Sequence, residues 1–176
     1  MGITVNLKNS ILIGLVVVLL IIVGAAFLQK KEAESYDPQI NPSDFTTNIT
    51  NKYFTLPVGR KMVFEAKTED DINEKIEIEI LKETKTIEGV ATIVYLDTVY
   101  LNGQLHEVTR DYLAQHKTTG DVWYFGEEVD NYENGKLKDH AGTFIHGKDN
   151  AKAGIWMKAD QKVGDSYKQE YYKGEA

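Results

Sequence analysis

Four histidines are the residues most able to hold a metal or move a proton, and none falls into a metal-binding pattern. His140 and His146 stand six residues apart in the run HAGTFIH. On a strand that spacing gives a shared face but about 20 Å of separation, too far for one ion. Only a bend at Gly142 would bring them together. His106 and His116 fall on a strand and at a turn, and neither has a second ligand at zinc spacing. Asp130-Asn131-Tyr132-Glu133-Asn134-Gly135 has the outline of a calcium loop, but Tyr132 and Ala141 occupy positions where oxygen ligands are needed. Glu127 and Glu128 are paired carboxylates in sequence only. Consecutive side chains on a strand point to opposite faces and cannot converge on one substrate. Ser43 and Ser166 lack the surroundings of an activated serine, and no nucleophile elbow, zincin helix or phosphate-binding glycine loop is present. The sequence therefore implies no cofactor and no metal site.

The densest chemistry-bearing text is Arg110–Gln115, a turn at Lys117–Gly120, then Val122–Glu127. Pairing these two strands brings Tyr112, Trp123, Tyr124 and Phe125 together. One use is sheet packing, where each cross-strand aromatic pair contributes about 0.2–1 kcal/mol. The other is a wall or patch for an apolar ligand or partner. Alternation gives Trp123 and Phe125 one face and Tyr124 the other, so at least one side is expected to be displayed. Asp111, Tyr112, Trp123, Tyr124, Phe125 and Trp156 are thus candidate contacts for an apolar small molecule or an envelope protein. The alternative is a hydrolase using carboxylates such as Asp111 or Glu127 with His106 or His116.

The elements that must position these residues are nearly all β. Ile72, Ile76, Ile78 and Ile80 share one parity, while Lys75, Glu77 and Glu79 take the other, the mark of a strand with one buried face. Val90, Val94 and Leu96 oppose Ile93, Tyr95 and Val99, so that strand is apolar on both faces. Turn signals fall at Glu88-Gly89, Asn102-Gly103, Thr119-Gly120 and Asn134-Gly135. Asn-Gly suits the type I′ turn, whose two central residues need positive φ. Strands joined this way are antiparallel neighbours, which predicts a long-stranded meander curling into an open or half β-barrel. Ala141–Ala159, rich in Gly and Ala, reads as a loop or cover with Ile155-Trp156-Met157 as its apolar plug. A last strand is expected over about Asp165–Tyr172. Val58–Glu65 and Val163–Glu170 form a weak internal repeat in which Val-Gly opens each strand and Glu closes it.

Ahead of this domain, Ile11–Leu28 is an uninterrupted apolar run of 18 residues. As a helix it would be about 27 Å long, close to a bilayer's hydrocarbon core. A cleaved signal peptide would have a shorter apolar region and a small-x-small site, which Gly24-Ala25-Ala26 followed by Phe27-Leu28-Gln29 does not supply. Residues 1–31 are therefore expected to be an N-terminal membrane anchor whose one transmembrane helix partners the lipid bilayer through Ile11 to Leu28, with a cleaved signal segment as the alternative. Residues 32–51 read as an extended linker, with Pro38 and Pro42 discouraging a continuing helix. The β domain is expected over residues 52–176, outside the cytoplasm. The lysines Lys8, Lys30 and Lys31 flank the span on both sides, so the short N-terminal tail rather than the charge bias sets that orientation.

Composition sharpens this division. The chain has 176 residues, 20 basic and 27 acidic, for a net charge of −7. Residues 1–31 carry three lysines and no acid, so the remaining 145 carry 17 bases and 27 acids, or −10. A domain this acidic argues against a nucleic-acid partner. The absence of cysteine excludes a disulfide framework, a CxxC redox site, a thiolate zinc site, a cysteine nucleophile and a lipidated-cysteine anchor.

The segments Asn51–Gly59, Arg110–Gln115, Val122–Glu127 and Tyr167–Tyr172 resemble a family of uncharacterised exported β-rich bacterial and archaeal proteins. Its pattern runs NPYFPLxPGxxWxYEG, then DWYAQDxxGNVWYFGE, then YRQEYxxGxAED. The resemblance spans about Asn51 to Ala176. The chain departs from the pattern at Met62, where it has Trp, and at His116, where it has Asp. Members continue with further strands, so the resemblance implies that this chain is truncated at its C-terminus. It implies export and a β fold, and carries no assigned activity. The outline is also similar to the half-barrels of lipoprotein carriers.

Overall fold

The computed structural model describes residues 36–172. The expected membrane helix at Ile11–Leu28 lies outside them. Among the described residues no helix is long and apolar enough to cross a membrane.

The chain runs through a 3-10 turn at Pro42–Asp44 and then twelve strands. In order they are β1 (Phe45–Thr46), β2 (Thr50–Asn51), β3 (Phe54–Thr55), β4 (Lys61–Lys67), β5 (Asn73–Ile87) and β6 (Val90–Leu101). There follow β7 (Gln104–His116), β8 (Val122–Glu133), β9 (Lys136–Asp139), β10 (Phe144–Ile145), β11 (Lys152–Met157) and β12 (Glu170–Tyr171). The result is a mainly β, antiparallel, open half-barrel sheet with strand order β12-β11-β8-β7-β6-β5-β4. The outer edge of β8 is shared along its length by β11, β10 and β9. β2 and β3 form a separate hairpin.

Local chemistry accounts for the meander. Glu88-Gly89, Asn102-Gly103 and Asn134-Gly135 each carry positive φ at both residues, which closes a two-residue hairpin turn. Two faces then bury two cores. The front face carries Ile78, Ile80, Ile93, Tyr95, Leu113 and Tyr124, covered at one end by Ile49, Phe54 and Leu56 of the β2–β3 region and by Trp156. The back face carries Ile87, Val90, Val94, Tyr112, Ala114 and Phe125, covered by Ile40 and Phe45.

Three expectations need correction. The folded unit begins at Tyr36, not Lys52. Phe45 and Ile49 are buried, and the Tyr36 hydroxyl donates to the Ala153 carbonyl at 2.9 Å. The polar composition of residues 32–51 hid three well-spaced apolar anchors, Ile40, Phe45 and Ile49. Ile155-Trp156-Met157 belongs to strand β11 rather than to a loop. Its irregular pattern has a cause: the register of β11 on β8 slips between Ile155 and Met157. Finally, the expected strand over Asp165–Tyr172 is limited to Glu170–Tyr171, and Val163 is fully exposed. The Val-Gly repeat is therefore not a structural one.

Candidate functional site

The front face is laid out by register. One row across the sheet reads Ile80–Tyr95–Asp111–Glu127–Phe144. The next reads Met62–Ile78–Asp97–Thr109–Val129. A third reads Phe64–Ile76–Val99–Glu107–Asn131. Acidic side chains from three neighbouring strands, Asp97, Glu107, Asp111 and Glu127, thus occupy an otherwise largely apolar surface.

A bulge in β8 makes this possible. The register slips so that Leu113 faces Tyr124 while Tyr112 faces Gly126, leaving Phe125 without a partner. Strict alternation would put Glu127 on the face of Trp123 and Phe125. The extra residue moves it to the face of Tyr124 and Asp111. Gly126 takes φ 141°, and a Cβ there would stand 2.4 Å from the Phe144 carbonyl oxygen. Only glycine lets β10 approach so closely.

Asp111 is 5% exposed, and its Oδ1 accepts a hydrogen bond from the Tyr124 hydroxyl at 2.6 Å. Burial pushes its carboxyl up to about 7; the Tyr124 hydrogen bond opposes this, and the charges of Glu127, Asp97 and Glu107 reinforce it. Glu127 is likewise pushed up to about 7 by burial, against the pull of the Tyr124 hydroxyl and with the charges of Glu170 and Glu107. Asp97 rises to about 6 through burial and through Glu107 and Glu74. Its Oδ1 is buried with no hydrogen-bond partner among the described residues. Glu170 of β12 also rises with burial, and Tyr95 and Tyr124 are held protonated by burial and the neighbouring carboxylates. Among the described residues, no ion pair involves Asp97, Glu107, Asp111, Glu127 or Glu170. No group of three or more His, Asp or Glu has metal-binding geometry there. Asp97, Asp111 and Glu127 can hold or exchange protons near neutral pH, donate hydrogen bonds when neutral, and attract a cation when charged.

The six residues singled out from the sequence divide between the faces. Asp111, Tyr124 and Trp156 lie on the front, where Trp156 meets Tyr124 edge-on at 4.7 Å and stacks on Phe54 at 6.0 Å. Tyr112, Trp123 and Phe125 lie on the back, where Phe45 packs edge-on against Trp123 and Phe125. Tyr112, Tyr124 and Phe125 are all buried. The expectation that one aromatic side would be displayed therefore fails: the β2–β3 hairpin covers one and the strap of residues 36–45 the other.

On the back, Tyr112 donates to Glu128 Oε2 at 2.5 Å, and Lys85 pairs with the same carboxylate. Burial would raise the Glu128 carboxyl, but the Lys85 and Tyr112 hydrogen bonds and the Lys85 and Arg110 charges outweigh it and hold it low. Glu127 and Glu128 thus face opposite ways, as alternation requires, and sit in opposite electrostatic surroundings. The histidines do not join the carboxyl rows. His116 Nδ1 accepts from the Thr118 and Thr119 amides, and His106 lines a separate concavity of about 390 Å³ with Leu105, Tyr132 and Asp139. Asp97 and Glu107 escaped the sequence reading because each sits alone in an apolar or mixed strand. The available signal was parity: both share the face of Tyr95 and Asp111.

No protein-family model, curated protein or solved structure matches this chain.

Proposed function

We propose that the protein is a membrane-tethered, extracytoplasmic binding module of the cell envelope. Its front face would take an amphiphilic small molecule with an apolar body and a cationic or hydrogen-bonding head. The observation that carries this reading is the set Asp97, Asp111 and Glu127, uncompensated by any cation among the described residues and bordered by Met62, Ile76, Val99 and the exposed Phe64. Burying carboxyls without a compensating cation costs stability. A ligand head that pairs with them recovers that cost. The aromatic block at the other end of the face is filled by the protein's own side chains, so the apolar body would lie toward β4 and β5. The tether is supported by the Ile11–Leu28 run, and the motif resemblance agrees with export.

The test is native mass spectrometry of the full chain released from detergent micelles. The expected result is a copurifying small molecule that the Asp111→Asn/Glu127→Gln variant loses while keeping its β-sheet spectrum. Absence of any bound species, or its equal retention by the variant, would count against the reading.

A hydrolase is the second reading. It is favoured by the direct register of Asp111 opposite Glu127, both carboxyls titrating near 7. Turnover of the recovered molecule by the wild-type chain, abolished by Asp111→Asn, would move the assignment to catalysis.

A further inference from the structure

We propose that two copies of the chain associate through β4, adding their edge strands antiparallel about a two-fold axis at Val63.

β4 ends the strand order, and among the described residues nothing pairs with its outer side. The Ile80 amide donates to the Arg60 carbonyl at 3.0 Å. Backbone groups alternate along a strand, so Met62, Phe64 and Ala66 also turn theirs toward β5. Lys61, Val63, Glu65 and Lys67 present theirs outward. Such an edge is a template for another strand unless it is blocked. No proline or bulge interrupts β4, whose register on β5 is unbroken from Lys61 to Lys67, and its two edge lysines are held by Glu79 and Asp71. Val63 is 57% exposed and Phe64 54%, and as sequence neighbours they open both faces of the edge to apolar contact.

The occupant follows from the order of residues in KMVFEAK. A two-fold axis perpendicular to the sheet keeps like faces together, so opposed residues must share parity. Centring on Val63 sets Lys61 against Glu65, Met62 against Phe64 and Val63 against Val63. Each of these three central pairs is opposite in charge or jointly apolar. Centring on Phe64 instead opposes Lys61 to Lys67, and centring on Glu65 opposes Glu65 to itself.

The chain has no native cysteine, so single cysteines report on proximity without interference. In the full chain in detergent micelles, Val63→Cys should form a disulfide-linked dimer at least tenfold faster than Lys67→Cys, which the register places opposite Gly59. Mixing Lys61→Cys with Glu65→Cys should give a heterodimer that neither gives alone. Val63→Lys should convert a dimeric sedimenting mass to a monomeric one with an unchanged circular dichroism spectrum. Equal rates at positions 63 and 67, or a monomeric wild-type mass, overturns the proposal. If Val63→Cys fails to fold, the mixed pair decides the matter.

Discussion

Asp111 keeps its proton in the folded protein to a higher pH than in the unfolded chain, because burial and the surrounding carboxylates both disfavour its charge. A folded-state pKa raised from 3.8 to about 7 gives stability that is fully present below about pH 4 and is lost as pH rises through 7. At about 1.4 kcal/mol per pKa unit, the loss is on the order of 4 kcal/mol. Asp111→Asn keeps an oxygen for the Tyr124 hydroxyl and cannot ionise. Urea unfolding at pH 4, 6 and 8 should show a shallower pH slope for Asp111→Asn and a variant more stable than wild type at pH 8. A wild-type stability that rises from pH 4 to 8 would contradict the electrostatic account. Gly126 is the second residue whose role is local. Gly126→Ala must keep φ 141° with a side chain and press it into the Phe144 backbone. It should lose about 3 kcal/mol of unfolding free energy, and hydrogen exchange should show β10 opening first.

Among the elements, the β2–β3 hairpin depends on a buried polar clamp. Gln115 Oε1 accepts the Thr50 and Asn51 amides at 2.7 and 2.9 Å, and Asn51 Nδ2 reaches the Gly120 carbonyl at 2.9 Å. Gln115→Leu strands two amides and should cost about 3 kcal/mol. The same variant should expose Trp156, read as a red shift in tryptophan emission. Hairpins and strands were legible in the sequence where local chemistry sets them. The Asn102-Gly103 and Asn134-Gly135 turns follow from φ requirements, and the Ile76, Ile78 and Ile80 parity follows from a single buried face. What sequence could not supply were the long-range decisions. The bulge that carries Glu127 across to Asp111 is signalled only by Gly126, and β11 owes its existence to an edge of β8 that no local pattern announces. The carboxyl rows share this origin. Each acid is unremarkable in its own strand, and only register brings them to one face.

At the scale of the whole molecule, both faces of the half-barrel are closed at one end by segments from before β4, while the rows that carry Asp97 and Glu107 and the β4 edge are only partly covered. The N-terminal apolar run should keep the full chain in the membrane fraction through carbonate washing. Protease added to intact cells or right-side-out vesicles should cut the exposed turn at Glu69–Asp71. Protection of that turn would reverse the proposed orientation.

The Tyr36–Ala153 hydrogen bond joins residues 117 positions apart, and β1 pairs with the far end of β7. During synthesis the strap emerges first, yet its partners are made late. The hairpins from β5 to β8 close through short turns as they appear, whereas the strap has to wait for β7 and β8 before Phe45 can dock and for β11 before Tyr36 can. For most of its assembly the back-face core, Phe125 included, therefore has no cover. That interval, rather than the finished fold, is when the chain's apolar face is most open to aggregation.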